Sequence, residues 1–202
     1  MAYRVESVDF LRDRAAAAYR AGWYAVDSGK YETAEQMART SLEDRERTLG
    51  DDHTETLDSI DLLALVLRYQ GKYDKAEEMN RRALAGREKE LGPSHPSTLT
   101  SLNNLALGLR YQGKYDEAEE MNRRALAERE KELGPSHPNT LTSVYNLAGL
   151  LHTQHDYTEA LRLYDRAVKG YIQVLGPSHP TTLGCQKWRR SLLRKMNLPV
   201  VQ

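Results

Sequence analysis

Residues 102–118 read LNNLALGLRYQGKYDEA, and this stretch decides the fold. Leu102, Leu105, Ala106 and Leu109 fall at i, i+3, i+4 and i+7, which predicts one buried stripe along a helix. Gly113 follows, at a point where helices commonly end in a left-handed conformation. A new apolar stripe begins at Ala118, so a second helix is expected directly after the turn. The stretch therefore predicts a helical hairpin.

The hairpin is repeated at a fixed period. Its Gly-Lys-Tyr turn occurs three times at a spacing of 42 residues, and residues 155–157 continue the series as His-Asp-Tyr. A loop reading Leu-Gly-Pro-Ser-His-Pro occurs at 91–96, 133–138 and 175–180, with a degenerate copy at 49–54. A constant period of this length is typical of a repeat array. We expect residues 1–202 to form a single solenoid with repeats at about 8–49, 50–91, 92–133 and 134–175, followed by a capping helix in 176–202.

The boundaries of the helices follow from the same signals. Pro96, Pro138 and Pro180 suit the first turn of a helix, where no backbone N–H is needed. The pattern predicts an all-α fold of antiparallel hairpins, with helices at about 8–27, 31–48, 53–70, 73–91, 95–112, 115–133, 137–154, 157–175 and 179–196.

A period of 40–47 residues also fits HEAT and armadillo repeats, but the residue identities favour another family. Small residues at Ala64, Ala106 and Ala148 lie where the two helices of a hairpin approach each other. With the segments at 102–107 and 113–118, this order resembles the tetratricopeptide pattern over roughly residues 29–183. The 42-residue period resembles the repeats of kinesin light chains and of fungal and bacterial NOD-like, nucleotide-binding receptors. The resemblance implies an α-α superhelix, a right-handed solenoid. No Gly-x-x-x-x-Gly-Lys-Ser/Thr phosphate-binding loop occurs in the sequence.

Composition excludes several function classes. Lys and Arg number 29 and so do Asp and Glu, which gives a net charge of zero. No general attraction to nucleic acid or to an anionic membrane is expected. The first residues lack the apolar run of a signal peptide, and no stretch approaches the roughly 20 apolar residues of a membrane helix. A cytoplasmic location is the expectation.

The resemblance also implies where a partner binds, because the first helices of tetratricopeptide repeats line the concave face. Their positions outside the apolar stripe are the candidate binding residues. These are Tyr19, Trp23, Asp61, Leu65, Arg68, Tyr69, Asn103, Asn104, Leu107, Arg110, Tyr111, Tyr145, Asn146 and His152. Aromatic and Arg side chains dominate binding energy at protein interfaces.

The sequence therefore predicts a protein-interaction scaffold that binds a peptide or protein segment, with Arg68 and Arg110 favouring acidic partners. One alternative is a sensor module of a NOD-like receptor, which suits the near-identity of residues 68–96 and 110–138. Another is a structural repeat that associates with itself.

Catalytic, metal and cofactor sites are not expected, and the chain is not predicted to be an enzyme. The histidines at 53, 95, 137 and 179 occur once per repeat, too far apart to share a metal ion; a loop or cap role is expected. Cys185, the single cysteine, has basic neighbours that could lower its pKa, although burial in the terminal cap is the stronger expectation. Trp188 is predicted to pack against the preceding hairpin.

Overall fold

A computed structural model of the chain describes residues 7–199, and these residues form nine α-helices without a strand. The prediction of an all-α fold is confirmed, and every predicted helix boundary lies within one residue of the observed one. The helices are α1 (Val8–Asp27), α2 (Tyr31–Leu49), α3 (Thr54–Tyr69), α4 (Tyr73–Leu91), α5 (Pro96–Tyr111), α6 (Tyr115–Leu133), α7 (Pro138–Thr153), α8 (Tyr157–Leu175) and α9 (Pro180–Lys195). None of the described helices is both long and apolar enough to cross a membrane.

The turn within each hairpin depends on one residue in the left-handed region. Gly113 has a φ of 77°, and the other turn glycines have similar values. In the last hairpin His155 occupies the same position with a φ of 68°. This region is sterically unfavourable for residues other than glycine. His155 nevertheless adopts it, so the turn keeps its place in the 42-residue register although the glycine is absent.

The loop between successive hairpins ends in a histidine cap. The Nδ1 atoms of His53, His95, His137 and His179 each accept a hydrogen bond, at 3.2 Å, from the backbone N–H two residues later. An acceptor at this position satisfies one of the unpaired N–H groups that begin every helix. A loop or cap role was predicted for the four histidines, and the structure shows that they act as helix N-caps.

The contacts between residues divide the chain into two compact units, one ending at Gly108 and the other beginning at Leu109. The division lies within α5. Unit 1 denotes the described residues up to Gly108, and unit 2 denotes those from Leu109 onward.

Alanine and leucine build the core of unit 1. Ala34 and Ala38 of α2 are completely buried beside leucines of α3 such as Leu63. Small residues allow neighbouring helix axes to approach closely, and leucines fill the space that remains. The first helices α1 and α3 are thereby held side by side with one face open to solvent.

The core of unit 2 is more aromatic. Tyr164 and Tyr171 of α8 are each 2% exposed, and Cys185 and Leu192 of α9 pack in the same cluster. α9 therefore lies against α8 and α7, which places its remaining side chains beside those of α7.

Candidate functional site

A cavity of about 260 Å³ opens on the first-helix side of unit 1. Trp23 of α1, Leu65 of α3 and Leu107 of α5 occupy the same position in three successive repeats, and all three line it. The full lining consists of Tyr19, Trp23, Asp58, Asp61, Ala64, Leu65, Arg68, Asn80, Thr100, Asn104 and Leu107. We call this space the unit 1 cavity. It combines an apolar row with a small number of polar groups, which is the usual composition of a binding pocket.

Two aromatic rings on α1 form one wall of the unit 1 cavity. Tyr19 and Trp23 lie one helical turn apart and meet edge to face, with centroids 6.4 Å apart and planes at 81°. The guanidinium of Arg45 lies over the Tyr19 ring at 4.7 Å, so this ring is already engaged. Trp23 keeps 39% of its surface exposed and is the ring that remains available to a partner.

The polar side of the unit 1 cavity is a buried ion-pair cluster. Arg87 of α4 donates to Asp61 Oδ2 at 2.5 Å and to Asp58 Oδ1 at 2.8 Å. Burial raises the pKa of the Asp61 carboxyl although Arg87 acts in the opposite direction. No side chain of the described residues hydrogen-bonds to Asp61 Oδ1. Asp61 therefore serves mainly to hold Arg87, which the sequence pattern did not indicate.

The structure brings together seven of the fourteen candidate residues in this cavity. They are Tyr19, Trp23, Asp61, Leu65, Arg68, Asn104 and Leu107. Tyr69 lies outside it, because its ring stacks on Tyr31 with centroids 5.1 Å apart and planes at 16°. The Arg68 guanidinium lies over the Tyr69 ring at 4.9 Å. Asn103 is half-buried on α5.

The remaining candidates lie in unit 2, where a surface with a different character forms. Position 149, in register with Trp23, is a glycine, and an added Cβ there would lie 3.5 Å from Arg110 Nη1. Arg110 thus extends over α7 where the other repeats have a large side chain. Tyr145 and Asn146 are half-buried on α7, and the Tyr145 ring meets Tyr164 at 5.9 Å. Tyr111 is exposed at the end of α5.

His152 does not lie on the surface, contrary to its prediction as a groove residue. It is only 7% exposed. The rings of Tyr157, Tyr164 and Trp188 surround it edge-on, with centroids 5.8, 6.2 and 6.3 Å away. Burial, followed by the charges of Lys195, Arg110 and His155, lowers its pKa below the ordinary value of 6.5.

Comparison with known proteins identifies the repeat. The sequence matches the tetratricopeptide repeat over residues 13–89, 60–131 and 97–173, which overlap to span 13–173. The chain belongs to the tetratricopeptide-repeat family. A search of curated proteins finds no match.

Several solved structures are similar to this tetratricopeptide-repeat protein. A kinesin light chain candidate with nearly identical TPR-like repeats from Podosopora anserina aligns with a TM-score of 0.75 and 25% identity, over 96% of this chain and 90% of that one. BtubC (BKLC) from P. vanneervenii aligns with a TM-score of 0.65 and 18% identity, over 93% and 92%. Aspartyl phosphate phosphatase F from Bacillus subtilis aligns with a TM-score of 0.69 and 13% identity, over 91% and 51%. The last two show the fold alone, whereas the first confirms the resemblance to kinesin-light-chain-like repeats.

Two residues on the surface of unit 2 were missed as binding candidates. Trp188 of α9 was expected to pack against the preceding hairpin; its ring does meet His152 of α7, with centroids 6.3 Å apart, but 48% of its surface is exposed. Trp188 occupies the same repeat position as Asn146, one repeat earlier, and Asn104, two repeats earlier. Because both asparagines were candidate binding residues, this equivalence could have identified Trp188 as a candidate too. Lys195 lies near the same aromatic cluster, with its Nζ 6.0 Å from the Tyr157 ring centroid. We use the term unit 2 face for Arg110, Tyr145, Asn146, Trp188 and Lys195.

The unit 2 face carries positive charge that the described part of the chain does not neutralise. Neither Arg110 nor Lys195 forms an ion pair with any carboxylate among the described residues. The unit 1 cavity differs, because its two carboxylates are tied to Arg87. The two surfaces of this tetratricopeptide-repeat protein therefore differ in charge.

Cys185 of this protein is an inert core residue. It is 1% exposed, and burial raises the pKa of its thiol to about 12, with only a small opposing effect of Arg189. The possibility that basic neighbours lower this pKa was wrong, because desolvation of a thiolate outweighs a cation at the surface. The expectation of a buried cap cysteine is correct.

Proposed function

We propose that this tetratricopeptide-repeat chain is a scaffold that binds a peptide or protein segment on its first-helix surfaces. The observation that carries the proposal is the unit 1 cavity, to which three consecutive first helices contribute side chains in the same register. A recurrent row of this kind offers a partner equivalent contacts at each repeat, as concave surfaces of solenoid proteins do.

The unit 1 cavity is suited to one large apolar side chain of the partner. Its volume of about 260 Å³ and its exposed Trp23 provide a place where an aromatic or aliphatic group loses contact with water. Such anchors carry most of the binding energy at interfaces. Asn104 in its lining is half-buried, and its amide can pair with a donor and an acceptor of a peptide backbone.

The positive charge of the unit 2 face favours an acidic partner. Arg110 and Lys195 carry positive charges without carboxylate partners among the described residues, and Trp188 supplies an exposed ring between α7 and solvent. Complementary charge steers association and selects among partners. Arg68 contributes less to this preference, because it lies over Tyr69 in unit 1, where acidic residues are also present.

The test is a selection of binding peptides from a random display library on the full chain. We expect the selected peptides to be rich in Asp, Glu and large apolar residues. Trp23→Ala should weaken their binding at least tenfold, since an anchor of this type contributes about 2 kcal/mol or more. Tyr24→Ala is the matched control, because Tyr24 is the next residue of α1 and is 73% exposed but does not line the cavity. Equal binding by the Trp23→Ala variant would refute the proposal.

A second candidate function is supported by the near-duplication of the repeats. Residues 68–96 and 110–138 are identical at 27 of 29 positions, differing only at 75/117 and 86/128. Recent duplication suits a regulatory module in a nucleotide-binding receptor, where a recognition surface must vary. Sequencing the gene on both sides tests this candidate: a nucleotide-binding domain in the same reading frame supports it, and an isolated repeat array contradicts it.

A further inference from the structure

His152 is a buried polar side chain with an unused hydrogen-bonding atom. Only 7% of the residue is exposed, and its Nε2 has no hydrogen-bond partner among the described residues. Nearly all buried polar atoms in folded proteins are hydrogen-bonded. An exception beneath a proposed binding surface therefore calls for a functional explanation.

The groups around His152 come from four parts of unit 2. Tyr157 and Tyr164 of α8 and Trp188 of α9 present ring edges to it. The charged or titratable groups that act on it are Lys195 of α9, Arg110 of α5 and His155 after α7. All three are cationic or become so on protonation, and their fields add to burial in lowering the pKa of His152. The imidazole thus lies in a positive field.

This field opposes protonation of His152 in the free protein. Burial and the neighbouring cations both disfavour a second proton, so its pKa lies below that of an exposed histidine. A partner that places carboxylates beside Arg110 and Lys195 would cancel part of the field. Proton binding and partner binding would then strengthen each other, because coupling between two sites is reciprocal.

We propose that His152 makes partner binding on the unit 2 face sensitive to pH by taking up one proton from solvent when the carboxylates of an acidic partner are bound. This inference rests on the proposed function. Binding is then tighter at mildly acidic pH than at neutral pH. Trp188 meets the His152 ring edge to face and keeps 48% of its own surface exposed, so a partner that contacts this indole comes close to the imidazole.

The experiment is isothermal titration calorimetry of the full chain with an eight-residue peptide of alternating Glu and Phe. The peptide is acetylated at its N-terminus, because a free α-amino group titrates near pH 7.5, and its Glu side chains are largely ionised at pH 5.5 and above. Repeating the titration in two buffers of different ionisation enthalpy gives the number of protons taken up. We expect uptake of about half a proton near pH 6 and a Kd that falls roughly three- to tenfold from pH 7.5 to 5.5, since a pKa rise of one unit corresponds to tenfold in affinity.

Two variants test whether His152 is the residue that takes up the proton. His152→Gln should abolish the proton uptake and leave less than about a twofold change of Kd with pH. His155→Asn is the matched control: it removes the neighbouring histidine, and asparagine tolerates the left-handed conformation of that position. This control should keep the uptake. Circular dichroism establishes that both variants are folded.

A measurement on the unsubstituted chain makes the test independent of folding defects. In an NMR titration the His152 imidazole should protonate below pH 6.5, and saturating peptide should move its midpoint upward. Binding without proton uptake, uptake retained by the His152→Gln variant, or an unmoved midpoint would each overturn the coupling while leaving the binding function intact. Failure of the peptide to bind at any pH would contradict the acidic-partner function and the coupling together.

Discussion

The guanidinium of Arg87 donates a hydrogen bond to the hydroxyl oxygen of Ser101, fourteen residues later, over 2.6 Å. Equivalent pairs join Arg45 to Ser59 at 3.0 Å and Arg129 to Ser143 at 2.7 Å. All these residues are buried. Each pair links the second helix of one repeat to the first helix of the next, so the contact recurs with the 42-residue period. One repeat after Arg129 and Ser143, the equivalent residues are Tyr171 and Cys185. Both belong to the hydrophobic cluster of unit 2, so the series of arginine–serine pairs ends there.

Removing one of these arginines should strongly destabilise the chain. Arg87→Ala leaves Asp58, Asp61 and Ser101 without their common donor. We expect a loss of about 3 kcal/mol in the free energy of unfolding, because the partner carboxylate Asp61 remains largely buried. Arg123→Ala is the control: it removes an exposed pair with Glu119 at 2.8 Å and should cost less than about 0.5 kcal/mol. Urea denaturation measures both, and equal losses would contradict the assignment of the buried cluster.

Glycine at position 170 is required by a close helix contact. A Cβ on Gly170 of α8 would lie 2.5 Å from one methyl carbon of Leu141 and 2.7 Å from the other. Gly170→Ala should therefore lower stability by about 1–3 kcal/mol through overpacking, despite the better helix propensity of alanine. Gly184→Ala in α9 meets no atom within 4 Å and should raise stability by about 0.5–1 kcal/mol. Chemical denaturation of the two variants should give shifts of opposite sign.

The thiol of Cys185 should react only when the chain unfolds. With a pKa near 12, its thiolate fraction at pH 8 is roughly a thousandfold smaller than that of a thiol with the ordinary value of 9. Ellman's reagent should label the folded protein slowly and the guanidinium-unfolded protein at once. Rapid labelling of the folded chain would show that α9 does not cover this residue.

The ion pairs of Glu35 should make unit 1 sensitive to acid. Hydrogen bonds from Lys72 and then Arg39 lower the pKa of Glu35 from 4.5 to about 2. A depressed folded-state value contributes stability above the unfolded value, and this contribution is lost as the pH falls from about 4.5 to 2. Solvent screening limits the effect to about 1 kcal/mol.

Melting curves of the unsubstituted chain and of Glu35→Gln test this expectation. The two proteins should differ at pH 6 and converge near pH 2. A difference that stays constant across this range would mean that the carboxylate charge of Glu35 does not contribute to stability.

The sequence by itself determined the helices, their boundaries and the capping of α3, α5, α7 and α9. These features depend on residues within one or two turns of each other, such as His137 and Pro138 at the start of α7, so a repeated local pattern is sufficient to predict them. Positions 23, 65 and 107 recur at the 42-residue period, all three were candidate binding residues, and the structure places them in one cavity.

Only the tertiary structure decided which of the predicted surface side chains are exposed to solvent. His152 was predicted to face a partner and Trp188 to pack against the preceding hairpin, yet His152 is only 7% exposed and Trp188 is 48% exposed. Asp61 is bound by Arg87, 26 residues away, and its role depends on the approach of α4. Periodicity is a property of one helix, whereas burial and ion pairing depend on the distance and direction of its neighbours. No residue pattern within a single helix contains that information.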